Sequence, residues 1–317
     1  CSEPKTRVAE HVKAFEYVVV PSSMQAASVD IVNQGVQQAA EELGVNATFG
    51  GTPFPDPEDQ AQLAASILAR PLKGLALEPL DARAQADAAA SANRRNAAVI
   101  SFGSDMDQPA RIVHVKPAPI RRTAERIMTI LAMAMGGQGD AAILAGVRGA
   151  SFEKRLIREI LRLSREPRFQ GVRIRDTLYA NDHPIQSRET ALKLVDFYQD
   201  LRGVIATSPA ALDAAGRVVA EQDLAGRVAV TGLGLPRMAA PWVESGAIPA
   251  FLAFDPRDLG YLTLYALDAA AQGRINGQPG QKIQAGRLGT FTLGPGGEIL
   301  LGDAVMVDRA NVLQFDY

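Results

Sequence analysis

A single cysteine, Cys1, among 317 residues leaves no thiol for a disulfide framework or a multi-cysteine metal site. The three histidines, His11, His114 and His183, have no metal-like spacing to one another or to Cys1. No G-x-S-x-G nucleophile elbow occurs either. A zinc enzyme and a hydrolase of that type are therefore not expected, and neither a metal nor a cofactor is called for. No apolar run approaches the roughly 18 residues that span a bilayer. Excess charge is missing too: 33 Lys and Arg against 35 Asp and Glu leave a net charge of −2. No global field then draws the molecule to DNA or to an acidic membrane, and no nucleic-acid partner is expected.

What is present is an ordinary globular composition, 47% hydrophobic and 21% charged, which argues against disorder. The length is too great for one small core and suits two α/β lobes with a cleft between them.

From Phe15 short apolar runs alternate with longer helical stretches. Strand "FEYVVV" precedes helix "VDIVNQGVQQAAEEL", which stops at Gly44 as a helix does at a glycine cap. The next helix has Asp56 as N-cap, Pro57 at its first position, and Glu58 and Asp59 in its first turn, where negative charge suits the helix dipole. Strand "GLALE", a helix around Ala82 to Arg94, and strands "NAAVISF" and "RIVHV" complete a first series. After Lys116, Pro117 and Pro119 the rhythm restarts and runs to a helix ending near Gly246. Repeated βα alternation predicts parallel sheets covered on both faces, hence α/β architecture with two doubly wound parallel-sheet lobes. The end departs from that rhythm: "AFLAFDP", one long helix "RDLGYLTLYALDAAAQG", and then short strands such as "GTFTL" and "EILL". Such pieces complete existing lobes better than they build a third.

Open α/β sheets bind ligands outside the C-terminal ends of their strands. The strand ends here present Ser22 and Ser23; Phe102, Gly103, Ser104 and Asp105; and Phe152, Glu153 and Lys154 within "GVRGASFEKR". Later ends add Thr207, Ser208 and Pro209; Gly234 within "GLGLP"; and Phe254 with Asp255. Ser22, Ser23, Asp105, Glu153, Ser208 and Asp255 are expected to hydrogen-bond a ligand, with Phe102, Phe152 and Phe254 as apolar ring faces. Ser104, Lys154, Pro209 and Gly234 complete the expected set. For each there is a plain structural alternative: Ser208 before Pro209 is a good N-cap in any protein, and a strand-end Phe packs a core as readily as a ring.

Three motifs carry less. "GLGLPR" has Arg237 where a dinucleotide loop needs its third glycine. "GGQGD" follows a helix and reads as a helix stop. Lys154, Arg155, Arg158, Arg162, Arg165 and Arg168, interleaved with Leu156, Ile157, Ile160, Leu161 and Leu163, read as the solvated face of a surface helix rather than a nucleic-acid patch, with Lys154 or Arg155 near the helix start as the candidates to turn to the cleft.

The ordered set "VVVPSSMQ", "FGSDMD", "VIATSPAALDAA", "VAVTGLGLP", "VESGAIPAFLAFDPRDLGYL" and "VMVDRANVLQFDY" resembles the periplasmic sugar-binding proteins of type I fold, especially the rhamnose-binding and autoinducer-2-binding branch. The resemblance implies three crossings between lobes, near residues 116–118, 252–255 and 286–290. It divides the chain into a first lobe of 1–117 plus 254–288 and a second of 118–253 plus 289–317. It also implies closure on a small sugar, deoxysugar or polyol, the closed monomer then being read by an ABC transporter permease. Ser22 stands where the autoinducer-2 branch has a ligand-binding lysine, and Gly103 where the sugar branch often has an aspartate. Phe152 and Glu153 fall at its acidic-amide pair, and Ser208 and Pro209 at its second-lobe ligand loop. Phe254, Asp255 and Pro256 retain its Trp-Asp-Pro-like segment.

Cys1 resembles the mature N-terminus of a bacterial lipoprotein, which implies a lipid anchor there and a place in the periplasm or on the outer face of the cytoplasmic membrane. The other reading is that the chain simply starts at Cys1. The function expected is that of an extracytoplasmic solute-binding protein of an ABC importer, not an enzyme. The alternative is a sensing module whose closed form engages a chemoreceptor or sensor kinase. A sugar-responsive repressor would carry a helix-turn-helix of some fifty residues ahead of the first strand, and only about fourteen residues precede Phe15 here.

Overall fold

The computed structural model describes residues 17–84, 86–94, 97–106 and 108–317. Cys1 and His11 lie outside the described residues. The first series runs β1 (Tyr17–Val20), α1 (Val29–Leu43), β2 (Ala47–Phe49), α2 (Pro57–Leu68), β3 (Gly74–Leu77), α3 (Ala86–Arg94), β4 (Ala98–Phe102) and β5 (His114–Lys116). The second runs α4 (Ile120–Ala134), β6 (Gly139–Ala145), α5 (Ser151–Leu163), β7 (Val172–Tyr179), α6 (Pro184–Phe197), β8 (Leu201–Ala206), α7 (Pro209–Glu221), β9 (Ala229–Gly232), α8 (Pro236–Glu244) and β10 (Ala250–Ala253). The chain ends with α9 (Pro256–Ala271), β11 (Lys282–Gln284), β12 (Thr290–Thr292), β13 (Glu298–Leu300) and β14 (Val305–Asp308).

Local chemistry sets the element ends. Asp56 accepts from the backbone N–H of Glu58 and Asp59 with Pro57 behind it, and Gly44 closes α1 in the left-handed region at φ 66°. The Ser208 hydroxyl oxygen accepts from Ala211 N–H at the start of α7. Gly136, at φ 68°, follows the end of α4, as the helix-stop reading of that stretch expects. Ahead of α3 the Asp81 carboxylate accepts from the N–H groups of Arg83 and Ala84 and holds a turn, so the helix expected from Ala82 is described only from Ala86.

The first lobe is a six-stranded sheet ordered β13-β5-β4-β3-β1-β2, all parallel. Both faces are apolar because both are covered. Tyr17, Val19, Ile100 and Phe102 pack with Val36 of α1 and Leu262 of α9, while Val18, Val20, Leu75 and Val99 pack with Ala64 and Leu68 of α2 and Ala89 of α3. The second lobe repeats the scheme with β7-β6-β8-β9 parallel, α4 and α5 on one face and α6, α7 and α8 on the other. A bridge from Leu233 to Leu252 brings in β10, and β14 runs antiparallel beside it. Full burial of each Leu or Ile in these layers contributes roughly 2 kcal/mol relative to exposure. Helices α1 and α9 cross with no room for a side chain between them. A Cβ on Gly35 would lie 1.8 Å from the Arg257 carbonyl oxygen, and one on Gly260 would lie 2.0 Å from that of Val32. The outer face of α5 and its continuation carries Arg155, Arg158, Arg162, Arg165 and Arg168 in solvent, with Leu156, Ile160 and Leu163 inward.

The chain passes between lobes at 117–119, at 254–255 and at 302–303. The third passage differs from the boundary expected near 286–290. Glu298, Ile299 and Leu300 pair in parallel with His114, Val115 and Lys116, Leu293 and Ile299 are buried in the first core, and Leu301 packs on it. Ala304 is the first residue after this stretch to enter the second core. Residues 289–301 thus pack with the first lobe, where β13 covers the β5 edge that would otherwise expose an unpaired row of backbone donors and acceptors.

Candidate functional site

Between the lobes lies a cavity of about 150 Å³ whose walls come from the C-terminal strand ends of both sheets. The first lobe contributes Ser22 after β1, Ser28 and Val32 at the start of α1, Glu78 and Leu80 after β3, and Gly103 and Ser104 after β4. The second contributes Val147, Phe152 and Glu153 after β6, Asp182 after β7, Thr207, Ser208 and Pro209 after β8, and Leu233, Gly234 and Leu235 after β9. Pro117, Phe254 and Leu259 close the side toward the crossings. An apolar cavity of about this volume holds a benzene ring, so the space suits one six-membered ring and excludes an oligosaccharide.

Three carboxylates stand in the walls. Glu153, in the first turn of α5, accepts from Gly146 N–H at 2.9 Å, Val147 N–H at 2.5 Å and the Thr207 hydroxyl at 2.5 Å. Burial outweighs these bonds and pushes its carboxyl up to about 7. Asp182, in the left-handed region at φ 53°, is pushed up to about 6 by burial, against hydrogen bonds from the Ser208 side chain and Ala210 N–H. Its Oδ1 is sealed from solvent and has no hydrogen-bond partner among the described residues. Glu78 accepts from Ser22 N–H at 3.0 Å and from the Ser22 side chain; burial raises its pKa, and the Asp182 charge adds to that. Gly103 permits this packing: it sits at φ 63°, and a Cβ there would lie 2.4 Å from Glu78 Oε1. No Lys, Arg or His lines the cavity, and no ion pair to any of the three carboxylates is found among the described residues.

The lobes touch around this space. Asp105 N–H donates to Ser151 Oγ at 2.6 Å across the gap, and Arg155 approaches Glu298 at 3.8 Å. Gly149 passes so close that a Cβ would lie 2.2 Å from the Leu80 carbonyl oxygen.

Of the residues expected at the site, Ser22, Ser104, Phe152, Glu153, Ser208, Pro209, Gly234 and Phe254 line the cavity. Five do not. Phe102 is fully buried in the first core, because its position in β4 points it at α1 and α9. Ser23 is occupied within the first lobe, donating to the Pro53 carbonyl of a neighbouring loop and accepting from Gln25 N–H in its own turn. Asp105 is committed to an internal cluster: Arg111 donates to both its oxygens at 2.7 and 2.8 Å, and Ser101 donates at 2.8 Å. Burial opposes ionisation of Asp105, but the Arg111 guanidinium wins and holds the carboxyl below the usual range. His114 beside it is pushed down to about 4 by burial, despite the Asp105 charge. Lys154 is exposed on the outer side of α5. Asp255 caps α9, accepting from Arg257 N–H at 2.8 Å, and faces a separate cavity of about 380 Å³ behind the crossings.

Glu78 and Asp182 were absent from the expected set. The strand-end rule reaches both: Glu78 is the last letter of "GLALE" and Asp182 comes two residues after "VRIRDTLYA". Reading the glutamate as part of its strand, and stopping short after β7, hid them.

The family model described as "Periplasmic binding protein domain" matches residues 17–275. Solved structures share the fold over nearly the whole chain. A sugar ABC transporter protein from Actinomyces odontolyticus ATCC 17982 is 25% identical, with TM-score 0.76 over 96% of this chain and 98% of that one. An ABC transporter solute binding protein from Clostridium phytofermentas with bound L-rhamnose is 22% identical, with TM-score 0.91 over 95% and 98%. LsrB from Clostridium saccharobutylicum in complex with AI-2 is 16% identical, with TM-score 0.88 over 95% and 100%.

Proposed function

Because the chain belongs to the periplasmic binding protein domain family, we propose that it is the solute-binding protein of an ABC importer, closing on one small sugar or sugar-like ligand. The observation that carries this reading is the single-ring cavity walled by strand ends of both lobes. Hydroxyls of Ser22, Thr207 and Ser208 and the carboxylates of Glu78, Glu153 and Asp182 offer the dense, acceptor-rich surface that a polyhydroxylated ring satisfies with its O–H donors. Hydrogen bonds to charged acceptors are roughly twice as strong as neutral ones. Phe152, Phe254, Leu235 and Val32 supply the apolar patches that a sugar's C–H faces cover.

A ligand held by both lobes favours the closed form by the difference between its affinities for the closed and open states, and nothing else shifts that balance. A permease that reads the closed form then receives loaded protein. No helix among the described residues is long and apolar enough to cross a membrane.

A thermal-shift screen of the purified protein against monosaccharides, deoxysugars, polyols and sugar acids, with amino acids as controls, tests the reading. Selective stabilisation by one carbohydrate group is expected, worth about 2.7 kcal/mol at a hundredfold excess over Kd. Stabilisation by amino acids alone would sink it.

A further inference from the structure

Among the described residues the cleft is lined by three carboxylates, Glu153 buried and Glu78 and Asp182 partly so, and by no cation. Elsewhere among the described residues a buried carboxylate is not left so: Asp105, inside the first lobe, is met by Arg111 at both oxygens. In the cleft, Glu153 and Glu78 receive only backbone and hydroxyl donors. Asp182 keeps one oxygen without a hydrogen-bond partner among the described residues. An unpaired charge taken out of water is costly unless a counter-charge meets it. A neutral sugar could donate hydrogen bonds to these oxygens but would bring no counter-charge to them. A sugar acid would add a further negative charge.

Resting on the reading of this cavity as the ligand site, we propose that its ligand carries a protonated amine: an amino sugar or amino-polyol of single-ring size, with Asp182 as the principal counter-charge and Glu153 and Glu78 flanking. Asp182 lines the cavity and has one oxygen that no donor among the described residues satisfies, so its carboxylate is the least compensated of the three. Burial that raises the Glu153 and Asp182 carboxyls, and the Asp182 charge felt at both glutamates, are what the positive ligand would relieve. A metal ion is not the fitting cation, since no group of three or more His, Cys, Asp or Glu side chains able to hold one occurs among the described residues. The phenyl rings of Phe152 and Phe254 and the leucines beside them suit an organic body instead.

Titration calorimetry of the full chain at pH 7 with matched probes decides the matter. The probes are D-glucosamine, D-galactosamine and D-mannosamine against D-glucose, D-galactose and D-mannose, and 1-amino-1-deoxy-D-glucitol against D-glucitol. D-glucuronate and plain ethanolamine complete the set. At least one amine is expected to bind about thirtyfold or more tightly than its neutral partner, the scale of a buried charge pair. Asp182→Asn is expected to erase that preference, bringing each amine and its neutral partner within about threefold of one another on the variant, and its unliganded melting temperature, retained or raised, shows that it folds. A neutral sugar binding as tightly as its amine, or persistence of the preference in the Asp182→Asn variant, overturns the amine inference and leaves the sugar reading standing. Binding of ethanolamine but of no carbohydrate overturns the sugar reading and leaves the amine inference. Failure of every probe overturns both.

Discussion

Two buried acidic groups in this protein are built in opposite ways. Asp105 sits in the first lobe with Arg111 across both its oxygens, Ser101 beneath and His114 beside it, and its carboxyl stays below the usual range. Glu78, Glu153 and Asp182 sit at strand ends around the cleft with hydroxyl and backbone donors only, and burial raises all three. A carboxylate given its own arginine is finished; it braces a loop and has no capacity left for a ligand. A carboxylate left without one is costly in the empty state and available when something with donors or positive charge enters. Burial alone does not mark a site, therefore, since Asp105 and Glu153 are both buried; the pairing does. Asp105 reads as a ligand contact in sequence and is a brace in the fold, while Asp182 goes unnoticed in sequence and holds the free acceptor.

The contrast can be broken most forcefully at Arg111. Arg111→Met would strand Asp105 in the first lobe, and loss of one partner of a buried pair costs about 3–5 kcal/mol. Urea denaturation at pH 7 should register it, and a loss below about 1 kcal/mol would show that Asp105 needs no counter-charge. A pH series sharpens the other half. The Glu153 carboxyl, ordinarily near 4.5, holds its proton in the folded state up to about 7, so its stabilising contribution is full below 4.5 and lost as pH rises through 7. Asp182, raised from 3.8 to about 6, and Glu78, also raised, face the same cavity and act in the same sense. Asp105, whose carboxyl is lowered, acts oppositely, and only as pH falls below the aspartate range. The unliganded protein should thus lose on the order of 2 kcal/mol between about pH 5 and 7.5, and Glu153→Gln should flatten most of that slope. A level wild-type profile would contradict the uncompensated state of the cleft. The smallest effect expected is at Ser151, whose hydroxyl takes the Asp105 N–H across the gap. Ser151→Ala should weaken affinity for an identified ligand by about 1 kcal/mol, the worth of one hydrogen bond, with the Asp105–Arg111 pair intact. An unchanged Kd would detach the brace from closure.

Much of the frame was legible because it is written in local chemistry. Asp56 before Pro57, Gly44 after a helical run and Ser208 before Pro209 each satisfy helix-end groups within a few residues, so their roles need no distant partner. The continuous apolar runs of β1, β3 and β4 announce strands covered on both faces. The third crossing was not legible: "EILL" looks the same whichever sheet it joins. Pairing of Ile299 with Val115, more than half the chain away, settles it in the first lobe.

What the sequence determined by itself, then, was the βα rhythm, the two parallel sheets and the strand ends at which a ligand site would lie, because periodicity and capping act over a single turn or strand. Tertiary structure alone decided which strand-end side chains face the cleft. Phe102 turns into the core by the alternation of β4, Asp105 is claimed by Arg111 six residues on, and Glu78 and Asp182 are brought to one cavity from separate lobes. Those choices depend on side-chain direction and on partners met only when two sheets close on each other, and no local pattern carries that information.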